Sequence, residues 1–360
     1  MPLVPKHIEK LLPYKPGRSI EELKMKFGIE TIYKLASNEN PYGASPLAME
    51  SVMSSLKENY RYPDSAAVSL RNKLAKKFNV NISNVIVGSG SEGIMSAIMR
   101  TFLRNNDELI AAENSFIGFK VLANSSGMKI NWIPLNFFHH DLKSMSSAIN
   151  DHTKLIYLAN PDNPTGTYFS VSDFEKFMEN VPERVLVILD EAYFEYAQNI
   201  KDYPDSMLYR YDNVITLRTF SKVYGLAGFR IGYGFAHEKL ITNLLKIKLP
   251  FEPAFSSQIA AIAALDDAEH IDKTINSCFH LKRVLELALK QHNINYINSS
   301  ANFITLIFNN KNDSKVFNKY MLNNGIIVRD LSGWGLPKCV RITVGNEIEI
   351  NYFIKILNKF

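Results

Sequence analysis

Short apolar runs recur along this chain and alternate with segments of helical period, and that alternation most narrows the folds open to it. It is the pattern of strand and helix layers around a largely parallel sheet. The run Val185-Leu186-Val187-Ile188-Leu189 is apolar throughout, as a strand covered on both faces has to be. Further strands are predicted at 84–87, 109–112, 129–134, 155–159, 214–218 and 228–235, and helices near 91–103 and 170–180. The fold class is α/β. With 360 residues the chain exceeds one ordinary domain and suits two lobes with a cleft between them. Leu249-Pro250-Phe251-Glu252-Pro253 cannot continue a helix and marks the crossover. The expected division is an arm over 1–43 with little structure of its own, a large domain over 44–250 and a smaller C-terminal domain over 251–360. In the last, strands are predicted at 303–308, 325–329 and 339–344.

Composition excludes several classes. The apolar share is 46% and the charged share 21%, ordinary for a globular protein, and no apolar stretch reaches membrane-spanning length. The first residues lack the apolar core of an export signal, so a cytoplasmic location is expected. Cys278 and Cys339 are too far apart for a CxxC metal motif, and no metal site is expected. The formal charge of +5 is dispersed, which gives no case for nucleic acid or membrane surfaces and mildly suits anionic small substrates.

Three segments carry the chemistry. Gly88-Ser89-Gly90-Ser91-Glu92-Gly93 follows a strand and opens a helix, so backbone N–H groups and the helix dipole form an anion site there. Read literally it is also a GxGxxG, with Glu113 at the distance of a ribose-binding acid, which keeps a nicotinamide-dependent dehydrogenase open as a rival. Asp190 ends the aliphatic run, at the strand edge where open α/β sheets bind ligands, and Tyr193 adds a phenol to the same rim. Pyridoxal 5′-phosphate (PLP) chemistry needs such a carboxylate to keep the pyridine nitrogen protonated, and a donor near the phenolate oxygen. The densest signal is Arg218-Thr219-Phe220-Ser221-Lys222, continued to Arg230. There Lys222 can hold an aldehyde as a Schiff base and move protons, while Thr219, Ser221 and Arg230 bind a phosphate. Asn163 lies in a turn fixed by prolines, Phe116 lies where an aromatic can stack on a planar ring, and Arg341 sits inside an apolar strand, where arginine needs a partner.

Taken together, Lys34-Leu35-Ala36-Ser37-Asn38-Glu39-Asn40-Pro41, Arg61-Tyr62-Pro63-Asp64, Asn163-Pro164-Thr165-Gly166, Asp190-Glu191-Ala192-Tyr193, Thr219-Phe220-Ser221-Lys222 and Arg341-Ile342-Thr343-Val344-Gly345 resemble the fold-type-I PLP aminotransferases, and within them the histidinol-phosphate aminotransferases. The resemblance spans nearly the whole chain. It implies a large domain with a mostly parallel sheet sandwiched by helices, a smaller α/β domain, and a homodimer with shared active sites. It implies catalytic roles for Lys222, Asp190 and Tyr193. Gly90, Ser91 and Glu92 would offer N–H groups to the cofactor phosphate, Phe116 would cover the ring, Asn163 and Tyr193 would meet its phenolate oxygen, and Asp190 its nitrogen. Arg341 would take a substrate carboxylate, Tyr14 and Asn40 would line the substrate side, Tyr62 would reach the neighbouring subunit's site, and Arg329 would meet the distal phosphate of the substrate. The implied reaction moves an amino group between L-histidinol phosphate and 2-oxoglutarate in histidine biosynthesis. An aromatic aminotransferase and a threonine-phosphate decarboxylase share these motifs.

Overall fold

The computed structural model describes residues 3–13, 31–206 and 211–360. Its centre is a seven-stranded sheet in the order β2-β8-β7-β6-β5-β3-β4. The strands are β2 (Val85–Gly88), β3 (Glu108–Ala112), β4 (Lys129–Ile133), β5 (Thr153–Ala159), β6 (Leu186–Asp190), β7 (Val214–Thr219) and β8 (Gly232–Phe235). All pair in parallel except β8, which runs antiparallel to both β2 and β7. The interior strands are apolar because both faces are roofed. One core joins Leu155, Tyr157, Ile188 and Leu217 to the helix Gly90–Phe102, and the other joins Ile156, Leu158, Val187 and Leu189 to the helix Val171–Met178. Alternate residues of one strand thus serve opposite cores, the period-2 rule applied to a sheet with no wet face.

The remaining strands begin with β1 (Tyr33–Lys34) and continue with β9 (Asn295–Ile297), β10 (Phe303–Ile307), β11 (Ile326–Ile327), β12 (Arg329–Asp330) and β13 (Cys339–Thr343). A four-stranded antiparallel sheet, β12-β13-β10-β9, lies in the C-terminal part. Its apolar face meets the helices Lys311–Asn323 and Glu347–Leu357 through Phe303, Phe317, Val340 and Phe353.

Three sequence expectations need correction. The strand expected at 228–235 starts only at Gly232, because Ala227–Phe229 form a 3-10 turn and Arg230 takes the left-handed conformation, φ 50°. The strand expected at 325–329 is split: β11 pairs with β1, and β12 pairs with β13. Through that first pairing, part of the arm is a strand held on the C-terminal region.

Candidate active site

The C-terminal edge of the large sheet opens into a cavity of about 360 Å³. The segments following β2, β3, β5, β6 and β7 supply its walls: Gly90, Ser91 and Glu92, then Phe116, Asn163, Asp190 with Tyr193, and finally Thr219, Ser221 and Lys222, with Arg230 ahead of β8. Residues spread over 140 positions converge because parallel strands end on one edge.

The anion end is built from the first turn of the helix Gly90–Phe102. Gly90 has φ 74°, a backbone angle that calls for glycine, and a Cβ there would lie 2.9 Å from the tip of the Arg230 side chain. Thr219 donates its hydroxyl to Ser221 at 3.0 Å, and Ser221 returns its backbone N–H to Thr219 at 3.1 Å. Arg230 lies 3.2 Å from the Glu92 carboxylate, so an incoming phosphate has to share the guanidinium with Glu92 or displace it.

At the opposite end, Asp190 is buried. Its Oδ2 accepts a hydrogen bond of 2.7 Å from Tyr157, and its Oδ1 has no hydrogen-bond partner among the described residues. Burial pushes the carboxyl up to about 7, against the downward pull of Tyr157. A cationic N–H arriving at Oδ1 would remove that penalty. Tyr193 accepts from the Asn38 amide at 2.8 Å, which leaves its own proton to donate, and burial raises the phenol to about 12, so it stays protonated at neutral pH. Asn163 receives Arg341 on its carbonyl oxygen, freeing its NH₂ group as a donor. Arg341 is fixed further by donating to the Ala36 carbonyl at 2.9 Å.

Lys222 is half-buried, with its amine 5.6 Å from the centre of the Tyr193 ring. Desolvation by the walls, then the charge of Arg341, lower the amine to about 8. A free amine is what attacks an aldehyde, so PLP should be taken up by cofactor-free protein at a rate that rises with pH around a midpoint near 8. An ordinary lysine, with a pKa of about 10.4, would place the midpoint more than two units higher. Stopped-flow absorbance over pH 6.5 to about 10.5 distinguishes the two, and a rate still climbing steeply above pH 9.5 contradicts the lowered amine.

The dinucleotide reading of Gly88–Gly93 fails on topology. β2 pairs only with the antiparallel β8 and lies at the sheet edge, while β3, which leads to Glu113, is separated from it by four intervening strands. Glu113 is exposed and does not line the cavity.

The donor set suits a planar molecule with a cationic ring N–H, a phenolate oxygen, an aldehyde and a phosphate, which is the functional-group pattern of PLP. Residues 30–357 match the family model for aminotransferase class I and II. The chain belongs to the class I and II aminotransferases. Its cofactor is PLP. The chain is 43% identical to the histidinol-phosphate aminotransferase of Geobacillus sp. (strain WCH70), with 94% of this chain and 92% of the relative covered. It is 39% identical to histidinol-phosphate aminotransferase 2 of Carboxydothermus hydrogenoformans, over 98% and 97% of the two chains. In fold it matches the crystal structure of histidinol-phosphate aminotransferase from Sinorhizobium meliloti in complex with pyridoxal-5′-phosphate, with TM-score 0.91, 24% identity, and 100% and 98% of the two chains covered.

Several residues lie elsewhere than the sequence suggested. Asn40 does not line the cavity of this class I and II aminotransferase: its NH₂ group donates to the Val223 carbonyl at 2.9 Å and to Thr274 at 3.2 Å, and its carbonyl accepts from the Tyr42 N–H. It is a clip, and Asn38, two positions earlier, meets the site through Tyr193. Asn38 has φ 56°, a conformation asparagine tolerates better than most residues, but nothing in its residue type separates it from Asn40. Tyr62 is 79% exposed and stacks on Phe251 with centroids 4.3 Å apart, outside this chain's cavity. Tyr14 lies outside the described residues. Arg329 lines a second cavity with Lys120, Trp334 and Pro13. Ile117, next to Phe116 in sequence, also lines that cavity.

Proposed function

We propose that this aminotransferase exchanges an amino group between L-histidinol phosphate and 2-oxoglutarate. The observation that carries the substrate is the register of β12 on β13. Arg329 and Arg341 are directly opposed Cα partners, so their side chains share one face of the sheet. Their guanidinium carbons lie 4.9 Å and 5.9 Å from the Trp334 ring centre. Two cations flanking an aromatic beside the Lys222 cavity suit a substrate with an anionic tail, and the relatives at 39% to 43% identity bear a matching name.

Bound in the cavity, PLP supplies an electron sink that weakens the Cα–H bond of the amino donor. Lys222 would hold the aldehyde end and would serve as the base and acid for the proton on the donor's Cα. Asp190 accepts the ring N–H through Oδ1, and Tyr193 and the Asn163 amide donate to the phenolate oxygen. Phe116 covers the ring and keeps water from it. The N–H groups of Gly90, Ser91 and Glu92, with Thr219, Ser221 and Arg230, hold the phosphate. Arg341 takes the carboxylate of the glutamate produced, and Arg329 the distal phosphate of histidinol phosphate.

The protein acts as a homodimer, and Tyr62 reaches the cavity of the second copy. Support comes from exposed apolar residues on two segments, Met53, Leu56, Tyr60 and Tyr62 on one and Leu249 and Phe251 on the other, joined by the stacking of Tyr62 on Phe251. Mixing Tyr62 and Lys222 variants should restore part of the activity through heterodimers holding one intact site. The enzyme works in the cytoplasm, in keeping with its two free cysteines. A large domain up to about residue 250 and a smaller one beyond it remain the proposed division, supported by the separate large and small sheets.

Arg329→Ala should reduce kcat/KM for histidinol phosphate by roughly 10- to 100-fold, the scale of a lost charge-assisted hydrogen bond. Phenylalanine and tyrosine should be affected by less than about threefold. Equal rates with phosphorylated and unphosphorylated donors would favour the aromatic aminotransferase reading instead.

A further inference from the structure

Tyr157 is absent from the cavity wall, yet its hydroxyl is what divides the Asp190 carboxylate into one occupied oxygen and one vacant one. It lies on β5, where Tyr157 is paired with Ile188 of β6. Asp190 is two residues further along β6, on the same face and diagonal to Tyr157, within reach of a long side chain. The Tyr157 ring is fully buried and stacked on Phe119, with centroids 4.0 Å apart and planes 9° from parallel. The helix carrying Phe119, Ile117–Ser126, starts directly after Phe116. The phenol therefore has little freedom to turn away from Oδ2 at 2.7 Å.

We propose that Tyr157 is a positioning residue for the cofactor: by occupying Oδ2 it aims Asp190 Oδ1 into the cavity, ready to accept the ring N–H of PLP. This rests on the reading that PLP binds with its ring nitrogen at Asp190. The same hydrogen bond favours the carboxylate form of a group that burial pushes toward the neutral acid. Without the phenol proton, the buried carboxyl would hold its own proton to higher pH, and a protonated Asp190 lacks the charge that pairs with a pyridinium N–H. The other ionisable groups acting on Asp190 are Glu92, Glu191, Tyr193 and Lys222. All four remain in a Tyr157→Phe variant.

The test is a double-mutant cycle on PLP affinity, measured by titrating cofactor-free protein with PLP and following absorbance at pH 6.5 and pH 8.5. Tyr157→Phe should weaken binding about 10-fold at pH 8.5, as for one hydrogen bond to a charged group, and by more at pH 6.5. In an Asp190→Asn background the same substitution should change binding less than about twofold. The double variant has no stranded buried carboxylate, so that comparison stands even where Tyr157→Phe alone does not fold. Equal losses from Tyr157→Phe in both backgrounds would reduce Tyr157 to a packing residue and overturn the proposal, while leaving the cofactor reading intact. If Asp190→Asn by itself left PLP binding unchanged, the cofactor reading would fall, and the role of Tyr157 with it.

Discussion

Lys222→Ala should lower transamination by on the order of 10⁴-fold, the upper end of what a single acid–base group contributes, with the covalent role adding to it. Two features of the site make this the largest functional effect expected. The Lys222 amine is held near neutrality, at about 8, by desolvation and by Arg341. It also lines the cavity together with Asp190, Tyr193 and the anion-binding turn, and among the described residues no other lysine does. Lys222→Arg should fare no better, since a guanidinium keeps its proton at any accessible pH. The folded protein should survive both changes, because the side chain is half-buried and makes no salt bridge among the described residues. Steady-state rates together with thermal melts separate the two effects. Retention of more than about a tenth of wild-type turnover by Lys222→Ala would remove the lysine from the mechanism.

The largest effect on stability is expected on the strand that leads to Lys222. Arg218 is fully buried and meets Glu191 at 2.7 Å and Asp205 at 3.0 Å, with its guanidinium 3.3 Å from the centre of the Phe194 ring. Glu191 follows Asp190 directly and Arg218 precedes Thr219, so the pair ties together the two strand ends that carry the nitrogen contact and the phosphate contact. Arg218→Met should destabilise the protein by about 3–5 kcal/mol, because it leaves a buried carboxylate uncompensated. Arg218→Met combined with Glu191→Leu should recover part of that loss, since apolar groups of similar volume can replace a buried pair. Denaturant unfolding monitored by circular dichroism measures both. A cost below about 1 kcal/mol for the single substitution would show that the pair does not brace the site.

The sequence made these two strands readable because burial on both faces leaves a parallel strand almost no residues except aliphatic ones. The terminal Asp190 and the cluster from Arg218 to Lys222 stand out against that background. Arg230 was legible as a residue type, but its left-handed turn was not, so the strand after it began four residues later than the apolar pattern suggested. Asn38 and Asn40 are indistinguishable locally: which one meets Tyr193 depends on where Thr274 and Val223 lie in three dimensions. Tyr157 was hidden for a different reason. In an apolar run a tyrosine reads as core, and only the pairing of β5 with β6 puts its hydroxyl on Asp190. Arg329 and Arg341 were each visible, but their shared face follows from the antiparallel register of β12 on β13, which no spacing within either strand encodes.

The central claim is that one lysine at the sheet edge carries the cofactor. The most direct measurement is the visible absorbance of the purified protein before and after borohydride reduction, followed by peptide mapping of the reduced label. The expected result is a yellow protein whose colour reduction abolishes and whose label lies on the peptide containing Lys222. A colourless protein that PLP cannot reconstitute, or a label fixed to another lysine, would contradict the account.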